Sequence, residues 1–177
     1  MTDDPVKFPY ALYRGWLSTG DSNGSVLWIM LNPSTATDTI DDPTIRHCTR
    51  FSRDWGYHSL VVVNLFAQRA TRPADLTGAL PDWSQTRNLI EITTALDETD
   101  LVVCAWGVIP PRMRPYRHDL QVLDMIRARI TMHRDDPREA RYYWPHHLGL
   151  TKDGYPRHPL YLPAATTPIR WDQEMPQ

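Results

Sequence analysis

The chain has 177 residues with a net charge of −2, and 41% hydrophobic and 23% charged residues are ordinary values for one globular domain. Two cysteines are too few for a disulfide framework or for an iron–sulfur cluster held by this chain alone. No apolar run reaches the ~20 residues that cross a bilayer. The acidic start, MTDDPVKFPY, lacks the apolar core of a secretory signal. We therefore expect a single cytoplasmic domain over residues 1–177, with a proline-rich tail from about residue 156 and without a membrane segment or a cofactor.

Strands and helices are predicted to alternate along the chain. Short, nearly continuous apolar runs predict strands at residues 26–31, 59–66, 100–106 and within 140–150. Apolar residues spaced three and four apart predict helices between them, at residues 43–55, 84–96 and 117–130. Because the strand runs are apolar on both faces, the pattern favours an α/β fold, a three-layer sandwich with a central, mostly parallel four-stranded sheet.

Polar residues follow three of these strands, where an open α/β sheet binds its ligands. Asn32-Pro33-Ser34 closes the first strand, Asn64 lies in the second, and His158 follows the fourth strand and its turn. We expect Asn32, Asn64 and His158 to meet at one cleft. Since histidine titrates near neutral pH, His158 is a candidate acid or hydrogen-bond donor, although a single histidine is more often structural.

Asn64 is the most informative of these residues. It stands among Val61, Val62, Val63, Leu65 and Phe66, where an unpaired amide costs roughly 1–3 kcal/mol. One interpretation is that its acceptor and two donors read the edge of a pyrimidine or another cyclic amide. The other is that Asn64 holds a neighbouring loop. Asn32 has the same two interpretations, as a residue that orients a ligand or water and as a local turn.

Several segments, taken in order, resemble known families. "LWIMLNPS", "LVVVNLFAQRA", "DLVVCAWG" and "HPLYL" resemble motifs of the uracil-DNA glycosylase superfamily. Over nearly all of residues 8–163, the chain also looks like a bacterial and phage family known only as a domain of unknown function. The glycosylase resemblance implies a uracil-DNA glycosylase-like fold and a nucleic acid or nucleotide as partner.

The same resemblance implies roles for individual residues. Asn32 matches the position that directs water, Asn64 matches the base-reading asparagine, and His158 matches the histidine that stabilises the departing base. Base contacts are expected from Pro33, Ser34 and Phe66, with Trp106 as another ring able to stack. Contacts to the nucleic-acid backbone are expected from Arg46, Arg69 and Arg157, with Arg50, Arg53 and Arg72 as further candidates.

The resemblance implies cleavage of the glycosidic bond of a pyrimidine or modified base. The chain departs from the glycosylase pattern at Met30, where a glycine is expected, and at Leu160-Tyr161, where small residues and a wedge are expected. Two alternatives stay open: a phage-type transferase that modifies a base in DNA, and a module that binds a base or nucleotide without chemistry. A metal hydrolase is disfavoured, because Asp41, Asp42, His47, His146 and His147 show no recognised ligand spacing.

Overall fold

A computed structural model describes residues 10–16, 24–33, 40–77, 82–133, 135 and 143–171 of the protein. The strands are β1 (Ala11–Gly15), β2 (Ser25–Met30), β3 (Ser59–Asn64), β4 (Leu101–Cys104), β5 (Pro145–His147) and β6 (Ile169–Arg170). The α-helices are α1 (Pro43–Asp54), α2 (Asp82–Asp97) and α3 (His118–Met132). Short 3₁₀ helices occupy Pro73–Asp75, Pro111–Tyr116 and Pro159–Tyr161.

The strands form one mixed sheet of six strands in the order β1-β3-β2-β4-β5-β6. The four inner strands pair in parallel, so their carboxyl ends meet at one edge of the sheet. β1 and β6 pair antiparallel to β3 and β5 at the two sides. The predicted α/β class is confirmed, but the four-stranded sheet was wrong in strand number. The two added strands are short, and neither has an apolar run that marks a strand in the sequence.

Both faces of the sheet are covered, which explains the continuous apolar runs. In β2, Val26, Trp28 and Met30 belong to one core cluster with Ile45, Cys48 and Phe51 of α1. The alternate residues Leu27 and Ile29 belong to a second cluster that includes side chains of α2 and α3. Side chains alternate along a strand, so one apolar run supplies both cores. The central strands therefore lie between α1 on one side and α2 and α3 on the other.

The predicted helices are confirmed to within two residues at each end. In α1, Asp42 is the N-cap, and its carboxylate accepts a hydrogen bond from the Ile45 backbone N–H at 2.8 Å. Pro43 follows in the first turn, where its missing N–H costs nothing. The helix start is thereby fixed at the carboxyl edge of the sheet.

None of the helices in the described part of the chain is long and apolar enough to span a membrane. The tail predicted from about residue 156 returns to the sheet, because its Ile169–Arg170 segment forms β6 against β5. The same tail carries His158 past the carboxyl end of the neighbouring strands, and this path positions the site described next.

Candidate binding cavity

A cavity of about 360 Å³ opens at the carboxyl edge of the sheet, on the α1 side. Asn32, Pro33, Asn64 and His158 all line it. Trp106, from the loop after β4, lines it as well. The segments that follow all four parallel strands therefore contribute to one cavity, as the carboxyl-end rule for open α/β sheets predicts.

Asn64 is only 5% exposed, yet its side-chain amide has no hydrogen-bond partner in the described structure. It is the last residue of β3 and pairs in register with Met30, the last residue of β2. The Asn64 backbone carbonyl is bonded, but the side chain is not. Because Asn64 lines the cavity, a ligand there can supply the hydrogen-bond partners that the described protein does not.

Asn88 and Gln85 hold the backbone around Asn64 from α2. The Asn88 side-chain nitrogen donates to the Asn64 carbonyl at 2.8 Å, and that of Gln85 donates to the Leu65 carbonyl at 2.9 Å. The sequence analysis missed both residues. The available signal was their spacing, because Gln85 and Asn88 lie four residues before Leu89 and Ile92 and so on the predicted apolar face of the helix. These bonds fix the strand end and leave the Asn64 side chain to the cavity.

Asn32 has a structural role through its nitrogen. Its Nδ2 donates to the Ala70 carbonyl at 2.7 Å and to the Pro33 carbonyl at 2.9 Å. The Ala70 N–H in turn donates to the Pro33 carbonyl at 3.1 Å. These bonds join the corner after β2 to the loop after β3. Both N–H bonds are thereby used, so the amide is locked and only Oδ1 remains to accept from a ligand or water.

His158 is held against the loop after β4 by backbone hydrogen bonds. The Gly107 N–H donates to the Pro156 carbonyl at 2.9 Å, and Gly107 has a φ of 71°, which favours glycine. A Cβ at Gly107 would lie 3.5 Å from the His158 Cβ, so the two backbones run close together. The Arg157 N–H also bonds the Gly149 carbonyl at 2.9 Å.

The hydrogen bonding of His158 sets its tautomer. Its Nδ1 accepts from the Leu160 N–H at 3.3 Å, so the neutral ring carries its proton on Nε2. Burial lowers the pKa of His158 below its ordinary value of 6.5, and the charge of Asp42 opposes this while His47 adds to it. At neutral pH, His158 is therefore a neutral hydrogen-bond donor through Nε2.

The remaining walls are mostly apolar. Thr44 and Ile45 come from the first turn of α1, and Leu160 and Tyr161 come from the 3₁₀ helix after His158. Tyr161 is 85% exposed, with its ring centroid 6.5 Å from that of His158, so it forms part of the rim. Among the described residues that line the cavity there is no Asp, Glu, Lys or Arg. The cavity therefore suits a neutral ligand.

Phe66 is not brought to the cavity. It is 2% exposed and packs in the core on the α2 and α3 side, with its ring 4.8 Å from that of His118. Phe66 is therefore absent from the cavity wall at which it was predicted to stack on a base, whereas Trp106, the other ring considered for this role, lines that wall. Ser34, also predicted to contact a base, lies outside the described residues.

The three arginines expected at a nucleic-acid backbone are exposed, and each directly neighbours a cavity residue in the chain. Arg46 follows Ile45 and donates to the Asp41 carbonyl. Arg69 precedes Ala70 in the loop after β3. Arg157 precedes His158, and its Nε donates to the Leu150 carbonyl at 3.0 Å. Positive charge therefore lies outside the cavity, around the segments that form it.

Metal ligands are not assembled in the part of the chain that the structure describes, where no group of three or more His, Cys, Asp or Glu residues is placed to hold an ion. His146 and His147 lie on β5, and Asp41 and Asp42 precede α1. The residues considered for a metal hydrolase therefore belong to different parts of the fold.

Comparison with known proteins gives a family for this chain but no function. The model of a family described as "Protein of unknown function (DUF1643)" matches residues 10–160. No curated protein and no solved structure matches the chain. The unknown-function family predicted from the sequence is thereby confirmed, whereas the resemblance to uracil-DNA glycosylases gains no support from these comparisons.

Proposed function

Since the chain belongs to this family of unknown function, we propose a function from the cavity alone: it binds a pyrimidine or modified base, and the protein is a nucleobase- or DNA-directed enzyme that cleaves the glycosidic bond. The observation that carries the proposal is the Asn64 amide, which belongs to a residue that lines the cavity and has no hydrogen-bond partner in the described structure. One acceptor and two donors in one plane complement the edge of a cyclic amide.

Size and charge support the same ligand class. A volume of about 360 Å³ lies at the lower end of the range for small-molecule sites. Apolar walls with a few convergent polar groups are typical of sites for flat heterocycles. Because charged side chains are missing from the described wall, a free phosphate or carboxylate fits this cavity poorly.

The proposed chemistry assigns one task to each polar residue. Asn64 reads the base edge, and the locked Oδ1 of Asn32 accepts a hydrogen bond from a water that adds to the anomeric carbon as the bond from that carbon to the base breaks. The proton lost by this water ends on the departing base. His158 donates from Nε2 to the base oxygen on which negative charge develops as the glycosidic bond breaks. A neutral histidine serves this purpose, since the task is donation of a hydrogen bond to the leaving base.

A nucleic acid is the proposed source of the base. The exposed Arg46, Arg69 and Arg157 are next to cavity residues in the chain, and in this proposal they supply positive charge for the phosphates of that nucleic acid. A base within duplex DNA must leave the stack before it reaches such a cavity.

A second candidate is a module that binds a base without chemistry. The observation that favours it is the lack of an acidic side chain in the described wall, because Asn32 cannot act as a general base. Product analysis separates the candidates: after incubation with oligonucleotides, a hydrolase releases free base, a base-modifying transferase leaves a heavier nucleoside, and a binding module does neither.

The test of base recognition compares two buried asparagines. We expect free pyrimidines or short oligonucleotides to raise the melting temperature of the wild type, and Asn64→Asp and Asn64→Leu to abolish that shift. Without ligand, Asn64→Leu should melt no lower than the wild type, because its amide makes no protein hydrogen bond. The control at another asparagine is Asn88→Leu, which leaves the Asn64 carbonyl without its donor. Without ligand, this change should lower the free energy of unfolding by about 1–3 kcal/mol.

The melts also define failure. If no base or oligonucleotide stabilises the wild type, or if Asn64→Leu keeps the full ligand shift, Asn64 does not read a base. If Asn64→Leu unfolds as readily as Asn88→Leu, then Asn64 is a structural tie and the proposal loses the observation on which it depends.

A further inference from the structure

A second cavity, of about 310 Å³, lies beside the first and shares Trp106 with it. Trp106 and Trp171 are both part of its wall, and Arg114, Arg117, Asp119 and Asp153 also line it. It sits where the loop after β4 meets the start of α3, again at the carboxyl edge of the sheet. None of the roles proposed for the first cavity uses these charged residues.

Two indole N–H groups at this cavity have no acceptor. Trp106 and Trp171 are each 2% exposed, and their Nε1 atoms are buried without a partner in the described structure. Their ring centroids lie 6.1 Å apart, and both residues are part of the wall of this cavity. Buried indole N–H groups normally have a hydrogen-bond acceptor. Two neighbouring indoles without one are therefore a reason to expect a ligand.

The N-terminus of α3 adds further donors. This helix spans 15 residues, and its N-cap, Arg117, makes no side-chain capping bond. The first N–H groups of a helix have no intrahelical acceptor, and the helix dipole places partial positive charge there. Asp119 and Leu120, in the first turn, are both cavity residues. An uncapped helix start at a cavity is a favourable place for an anion.

Two arginines, Arg114 and Arg117, line the same cavity beside the start of α3. The Arg117 side chain has no hydrogen bond or ion pair with any described residue. The Arg114 Nε donates to the Ile109 carbonyl at 3.2 Å, and its guanidinium lies 5.7 Å from the centroid of the Tyr155 ring. These contacts hold Arg114 while its terminal nitrogens remain able to donate. Guanidinium groups form strong, directed bonds to phosphate oxygens.

Asp119 and Asp153 oppose these charges, so the cavity is not simply basic. The cavity does, however, have more hydrogen-bond donors than acceptors. The donors come from two indoles, the start of a helix and two guanidinium groups. A phosphate group has more acceptor oxygens than a carboxylate and can satisfy several donors at once. We propose that the cavity between Trp106, Trp171 and the start of α3 binds a phosphate group, either of a nucleic-acid backbone or of a free phosphate or mononucleotide. This site does not depend on base recognition at Asn64.

The test follows the two indoles by nuclear magnetic resonance. In protein labelled with ¹⁵N, Trp106→Phe and Trp171→Phe assign the two Nε1–H signals and keep a ring in place. We expect both signals to move when inorganic phosphate replaces chloride at constant ionic strength. Arg117→Gln and Arg114→Gln should each weaken phosphate binding about tenfold, the effect of losing one charge-assisted hydrogen bond.

The matched control is Arg112→Gln, because Arg112 is an exposed arginine of the same Pro111–Tyr116 helix that does not line the cavity. It should leave phosphate binding unchanged. A dinucleotide with one internal phosphate, thymidine 5′-monophosphate and thymidine identify the source. Tighter binding of the dinucleotide indicates a nucleic-acid backbone, and binding of only inorganic phosphate or the monophosphate indicates a free phosphate.

The proposal is overturned if neither indole signal responds to any phosphate-bearing probe, if thymidine moves them as strongly as the monophosphate, or if both Arg114→Gln and Arg117→Gln bind as the wild type does. The Asn64 variants should show the wild-type response to inorganic phosphate. A failure of base recognition and a failure of the phosphate site are therefore seen in different experiments.

Discussion

Asn64 at the end of β3 and Asn88 on α2 are both buried asparagines, but their side chains do opposite things. The Asn88 nitrogen stabilises the backbone through the Asn64 carbonyl, whereas the Asn64 amide has no partner in the described structure. Asn32 combines both roles, because its nitrogen joins two loops and its oxygen stays available. An asparagine in an apolar run therefore has to be interpreted from what each end of its amide contacts.

His158 gives the protein a stability that depends on pH. Its pKa is lowered by burial, so the folded state favours the neutral ring more than the unfolded state does. The stabilising contribution is complete above the ordinary value of 6.5 and is lost as the pH falls through the lower folded pKa. We expect the free energy of unfolding to fall between about pH 7.5 and about pH 5, and to fall less in His158→Asn.

Urea denaturation at both pH values measures this difference. The pKa values of His118 and His146 are also lowered mainly by burial, and both residues remain in His158→Asn. The free energy of unfolding of the variant should therefore still fall in part as the pH is lowered. An equal decline in His158→Asn and wild type would show that this ring titrates alike in the folded and unfolded states.

At the scale of elements, periodicity was enough to predict three helices and the four inner strands. It did not reveal β1 or β6, because pairing partners and not apolar content make Ala11–Gly15 and Ile169–Arg170 into strands. The meeting of Asn32, Asn64 and His158 followed from the rule for strand carboxyl ends. The position of Phe66 did not, since strand alternation no longer predicts a side chain's direction once the chain leaves the sheet.

The start of α1 forms part of the cavity that Asn64 lines, so its cap matters for folding and for the shape of that cavity. Asp42→Ala removes the acceptor of the Ile45 N–H and should lower the free energy of unfolding by about 1 kcal/mol. It should also lower the pKa of His158 further, because the Asp42 charge raises that pKa. Urea denaturation and histidine resonance titration measure the two effects.

Asp54→Ala, at the exposed end of the same helix, is the control. An acid at a helix C-terminus opposes the dipole, so this change should leave stability equal or slightly higher. A loss at Asp54 as large as that at Asp42 would argue against a specific cap at the start of α1.

At the scale of the whole molecule, the two cysteines report on the two cores separately. Cys48 packs on the α1 side of the sheet and Cys104 on the other side, and both are fully buried. Burial raises the pKa of both thiols, which keeps them protonated and unreactive in the native state. If the domain unfolds as one unit, both thiols should be alkylated at the same rate under native conditions.

Mass spectrometry of the wild type during slow alkylation gives both rates in one experiment, without a mutation that alters stability. Faster labelling of Cys48 would mean that α1 opens by itself, and faster labelling of Cys104 would mean the same for the opposite layer. Either result contradicts a single cooperative domain.

Trp106 is a common wall of the two cavities, so each can exist without the other's ligand while binding in one can still affect binding in the other. A ligand that fixes the indole ring from one side changes the space and the donor that the other side offers. Such a coupling acts equally in both directions, so if phosphate strengthens the binding of a base, the base must strengthen the binding of phosphate by the same factor. A nucleotide that reaches both cavities would gain from this cooperativity, whereas a free base and free phosphate would each bind more weakly alone.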